Sequence, residues 1–160
     1  MSETKRLVVA VEDFSTASIV AVEAAHVGDT LGATEITLLH VLNPYLISGA
    51  AMAARGFPVA ETEEAATVLL ELAEQALRAE YTGMGKAVPV IKRRVCEGKV
   101  WHAVEQAVRE TGALGLVMGA RRPHAFGQLL HPDVHSHLAK DLGCPIYVAS
   151  LQAGPEPKPV

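Results

Sequence analysis

Five short apolar runs, separated by stretches of helical periodicity, constrain this chain more than any other feature. Leu7-Val8-Val9-Ala10-Val11 is the first, rich in β-branched residues. Unbroken runs of this kind suit strands covered on both faces, as in parallel sheets. Glu35 to Leu42 is the second, interrupted only by Thr37 and His40 among apolar residues, and Asn43-Pro44 stops it. Val88 to Val95, Leu114 to Gly119 and Ile146 to Ala149 follow, with Pro89 suggesting a sheet edge for the third. Between them lie helical patterns. The first carries Ile19, Val20, Val22 and Ala25, with Ser15 or Thr16 as its cap and Gly32 as its stop. The second runs from Thr62 to about Tyr81, with Thr62 as N-cap, carboxylates in its first turn and Gly83 and Gly85 ending it. The third runs from about Val100 to Glu110 and the fourth from about Asp133 to Leu142. Strict alternation of strand and helix predicts an α/β fold, a doubly wound five-stranded parallel sheet with helices on both faces. We expect strand order 3-2-1-4-5, with right-handed crossovers. In that order the chain reverses between strands 1 and 4, and ligands of open α/β sheets bind outside the carboxyl ends of the strands at such a point.

The chain has 160 residues, enough for one domain with a substantial core. We expect the domain to occupy residues 1–150 and the proline-rich stretch 151–160 to be a disordered tail. The formal net charge of −4 argues against a general binder of nucleic acid or of anionic membranes. No apolar run approaches the roughly 20 residues that span a bilayer, and Met1 to Arg6 contains no signal-peptide core, so a soluble cytoplasmic protein is expected. Cys96 and Cys144 form no CxxC arrangement and read as small apolar residues in a reducing compartment. Residues 43 to 61 read as a long connection with a small apolar stretch, either a mobile link carrying a short surface helix or a lid or partner-binding segment.

The pieces of this pattern resemble the universal stress protein family in five places. They are Val9-Ala10-Val11-Glu12-Asp13-Phe14-Ser15, Leu38-Leu39-His40-Val41, Glu97-Gly98, Val117-Met118-Gly119-Ala120-Arg121 and Cys144-Pro145-Ile146-Tyr147-Val148. The resemblance implies a homodimer and a crevice in which some members hold ATP. Carried onto this chain, it implies that Asp13 and the backbone near Ala10 and Val41 would hold the base, with Met118 and Gly119 lining the pocket. ATP-binding members share a G-x2-G-x9-G-[ST] loop. Here Gly119 keeps the first position, while Arg122, Pro132 and Asp133 occupy the other three. Arg122 removes a glycine's freedom to approach phosphate, Pro132 has no N–H to donate, and the Asp133 carboxylate repels phosphate. Arg121, Arg122, His124 and His131 could supply replacement positive charge.

Two functions stay open on these grounds. One is a regulatory or stress-response protein that acts by dimerisation and protein contacts, without catalysis and without nucleotide. The alternative is an adenine-nucleotide sensor that binds ATP or AMP between strands 1 and 4. Each candidate also has a plainer reading: Asp13 as a helix-capping or loop residue, and Arg121 and Arg122 as solvated loop charges. His124, His131, His135 and His137 invite a metal, but His135 and His137 do not share a helix face and no ligand set is completed, so no metal is expected. No G-x-S-x-G or Walker A loop is present, and slow nucleotide hydrolysis is disfavoured. Trp101 reads as a packing residue.

Overall fold

The structure, a computed structural model, describes residues 3–42, 62–120 and 142–150. The apolar runs form strands and the first three periodic stretches form helices, in the expected order. They are β1 (Arg6–Ala10), α1 (Ala17–Leu31), β2 (Glu35–Leu42), α2 (Glu63–Gly83), β3 (Val90–Glu97), α3 (Val100–Thr111), β4 (Gly115–Ala120) and β5 (Ile146–Ser150). All strand pairs are parallel and the sheet order is β3-β2-β1-β4-β5. This is the doubly wound five-stranded arrangement that the strand–helix alternation predicts.

Side chains alternate along each strand between two apolar clusters. Leu7 and Val9 of β1, Ile36 and Leu38 of β2, and Val117 of β4 join one cluster with α1 and α2. Val8, Leu39, Leu116 and Met118 join the other with Val104, Ala107 and Val108 of α3. The helices therefore cover both faces, and the central strands are buried on each, which is why their sequences read as continuous apolar runs. α1 buries Ala17, Ala21, Ala24, Ala25 and Gly28, so its backbone lies close to its neighbours. α2 buries Ala66, Leu69, Leu70, Ala73, Leu77 and Tyr81 on one stripe of helical spacing. Thr62 caps α2 as expected, its hydroxyl accepting from the Ala65 N–H at 3.0 Å. Gly32 and Gly112 end α1 and α3 in the left-handed conformation.

Some bounds differ from the sequence reading. β3 starts at Val90, opposite Glu35, because Pro89 has no N–H for the ladder, and it occupies the sheet edge that Pro89 suggested. β4 starts one residue later than expected, at Gly115, where a side chain would collide with the Tyr147 ring. Leu142 is buried but not helical, and the rest of the helix expected from Asp133 lies outside the described residues, as do 43–61 and the tail.

At the amino ends of the strands, Glu35 is buried and bonds Arg6 (Nε to Oε2, 2.9 Å) and Lys92 (Nζ to Oε1, 3.2 Å). Arg6 also donates to the carbonyl of Thr111 at the end of α3 (3.3 Å). Burial alone would push the Glu35 carboxyl up, but Lys92 and Arg6 outweigh it and hold its pKa below the ordinary 4.5.

Candidate functional site

The sheet opens at the carboxyl end of β1. The ladder between β1 and β4 ends at the pair Val9–Val117. β1 continues alongside β2 through Ala10–Leu39, and Val11 then donates its N–H to the Leu39 carbonyl at 2.8 Å. β4 continues alongside β5 through Ala120–Ser150. Beyond Val9 the two central strands thus follow their outer neighbours and part from each other. This is the topological switch point, where open α/β sheets place their ligands.

The turn after β1 is organised by Asp13, which is 2% exposed. Its Oδ1 accepts from the Thr16 N–H (3.0 Å), the Thr16 hydroxyl (2.9 Å) and the Ser15 hydroxyl (2.8 Å). Its carbonyl accepts from the Ala17 N–H at 3.1 Å. A side-chain oxygen receiving the N–H three residues on, together with a carbonyl receiving the N–H four residues on, is the bonding of a helix N-cap. Asp13 therefore caps the turn leading into α1. Thr16 stands at the N-cap position of α1, as expected, but its side chain makes no capping bond of its own; it and Ser15 donate to Asp13. The plainer reading of Asp13 is present in the structure.

Ala10, Val41 and Met118 come together in the α3-side apolar cluster, Met118 fully buried and the other two partly. Gly119 follows Met118 in β4 and pairs with Ala149. Arg121, Arg122, His124 and His131 lie outside the described residues, as do Pro132 and Asp133. Trp101 packs against the same cluster as Met118, with its ring centroid 3.7 Å from that of His102, in keeping with a packing role.

One residue at this end of the sheet went unassigned in the sequence reading. His40 is 4% exposed and its Nδ1 lies 2.7 Å from the Val11 carbonyl. The signal was present: a histidine within an otherwise apolar strand. Among the described residues no group of three or more His, Cys, Asp or Glu is placed to hold a metal ion. Both cysteines are free, and burial pushes the Cys144 thiol up. No described helix is long and apolar enough to cross a membrane.

The chain is similar in fold to several solved structures. A universal stress protein solved in complex with cAMP superposes with a TM-score of 0.61 at 17% identity, covering 94% of this chain and 100% of that one. The universal stress protein of Archaeoglobus fulgidus in complex with dAMP gives 0.56 at 13% identity, covering 93% and 99%. A universal stress protein family protein of Arabidopsis thaliana with AMP bound gives 0.55 at 19% identity, covering 96% and 97%. Identities this low speak for the fold alone. No curated protein matches the chain. The model of the universal stress protein family matches residues 3–150, which takes in every described element. On that match this chain belongs to the universal stress protein family.

Proposed function

We propose that this protein is a regulatory nucleotide-binding protein that takes an adenine mononucleotide, AMP or a close relative, between β1 and β4, and acts through occupancy rather than turnover. The observation that carries this reading is the parting of β1 and β4 beyond Val9–Val117. The apolar residues Ala10, Val41 and Met118 lie at that level, beside a turn whose donors Asp13 gathers. A flat, largely apolar base with a polar edge suits such a setting. Three structural relatives hold AMP, dAMP or cAMP, each with a single phosphate. A single phosphate also asks less of a loop in which Arg122, Pro132 and Asp133 replace two glycines and a Ser/Thr. Arg121 and Arg122 are the proposed phosphate partners, and Gly119 allows the close backbone approach.

Isothermal titration, after removal of carried-over nucleotide, tests this. AMP should bind saturably at micromolar concentration, and ATP no more tightly than AMP. Replacing Arg121 and Arg122 together with alanine should weaken AMP about tenfold or more. Absence of AMP binding at millimolar ligand would overturn the reading. It would favour the second one, a homodimeric scaffold acting through protein contacts. What supports that alternative is β5, a sheet-edge strand with Val148 45% exposed.

A further inference from the structure

We infer that His40 is a positioning residue for this crevice, holding the turn after β1 in its binding shape through the Val11 carbonyl; this rests on the nucleotide reading above. A carbonyl oxygen only accepts, so Nδ1 carries the proton and donates to Val11 across 2.7 Å. His40 shares strand parity with Ile36, Leu38 and Leu42, so its ring lies on the α1 side of the sheet, among the residues that bury Val11. Val11 is held to β2 twice, by its N–H on the Leu39 carbonyl and by its C=O on His40. The peptide that follows is planar and trans, so fixing this carbonyl toward β2 directs the Glu12 N–H away from β2. Asp13, two residues after Val11, then falls where its carboxylate meets the Ser15 and Thr16 donors.

This arrangement explains a polar residue inside an apolar strand. β1 and β2 end their regular ladder at Ala10–Leu39, and the chain must leave the sheet there with a defined direction. A leucine at position 40 would fill the same core volume but would give the Val11 carbonyl no donor. His40 bonds the turn, and its strand parity puts it on the face opposite the cluster of Ala10, Val41 and Met118. Its effect on binding is therefore indirect, through preorganisation of the wall.

The test uses His40→Leu, which removes the donor, and His40→Asn, whose side-chain amide places an N–H near the position of Nδ1. Two quantities are read in the full chain: amide hydrogen exchange of residues 11–17, and AMP affinity by titration. His40→Leu should speed exchange of the Thr16 amide about tenfold, with protection in β4 and α3 kept, and should weaken AMP about tenfold. His40→Asn should restore most of both. Unchanged exchange in the turn of His40→Leu would overturn the inference. Equal loss of affinity in both variants would do so as well, because it would mean that only the ring's bulk matters. If the leucine variant fails to fold, wild-type-like exchange at Thr16 and AMP affinity in the asparagine variant support the inference, and loss of either overturns it. A wild-type protein that binds no AMP removes the nucleotide reading and the affinity half of this inference, and the exchange comparison then decides the positioning half alone.

Discussion

Among the described residues, Tyr81 has chemistry poorly matched by its surroundings. Its ring is 3% exposed in the α1–α2 interface, and its hydroxyl has no hydrogen-bond partner among the described residues. Burial, with Asp29 nearby, pushes its pKa up to about 12. The hydroxyl lies directly over Gly28, so close that an alanine β-carbon there would overlap it. Tyr81→Phe should therefore be neutral or stabilise the protein by about 1 kcal/mol, since it removes a buried group that lost its water without a replacement. Gly28→Ala would normally favour a helix, yet it should cost about 1–3 kcal/mol here through overpacking. That cost should shrink in the Tyr81→Phe background, where the nearest obstructing atom is gone and Ile36 remains. Denaturant unfolding of the two single variants and the double variant checks this. A destabilised Tyr81→Phe would show that the hydroxyl has found a partner such as a bound water.

At the scale of elements, the amino ends of β1, β2 and β3 are tied by Glu35 to Arg6 and Lys92. The folded-state pKa of Glu35 lies below 4.5, so the ionised form is the one favoured by folding. Its contribution is fully present above the unfolded value near 4.5 and is lost as pH falls through the lower folded value. Arg6 and Lys92 are exposed enough for solvent to screen much of this interaction. Glu35→Gln should lower the melting temperature by a few degrees at pH 7, with the gap narrowing as pH falls below 4.5 and through the folded value. A gap that stays the same down to the acid-unfolding limit would assign the effect to packing instead. The elements themselves were largely legible in the sequence. Continuous apolar runs revealed two-sided burial, and Thr62 and Gly32 marked helix ends by side-chain and backbone chemistry that acts locally. Thr16 stands at the N-cap position of α1, as expected, but the accepting side chain is that of Asp13, because Asp13, Ser15 and Thr16 are all good capping residues and composition does not say which one accepts. His40 escaped for a related reason. Its partner, Val11, lies 29 residues away and becomes adjacent only when β1 and β2 pair.

For the whole molecule, the unfinished edge is β5. Among the described residues it pairs with β4 alone, with Val148 exposed and Ile146 and Tyr147 partly so. A strand this apolar at an edge is a template for a second chain. We expect a dimer through this strand at micromolar concentration, and Val148→Lys should shift it toward monomer in sedimentation velocity. A wild-type monomer under those conditions would remove the dimer. The same strands carry two separate jobs at their two ends. The Glu35 cluster ties β1, β2, β3 and α3 together at one end, and the Asp13 turn and the Val9–Val117 parting stand at the other. Substitutions in the loops at the carboxyl ends therefore leave the clamp at the amino ends untouched. A lineage of such chains could exchange loop glycines for arginine, proline or aspartate, and so change or lose its ligand, while the sheet beneath kept the same shape and much the same melting temperature.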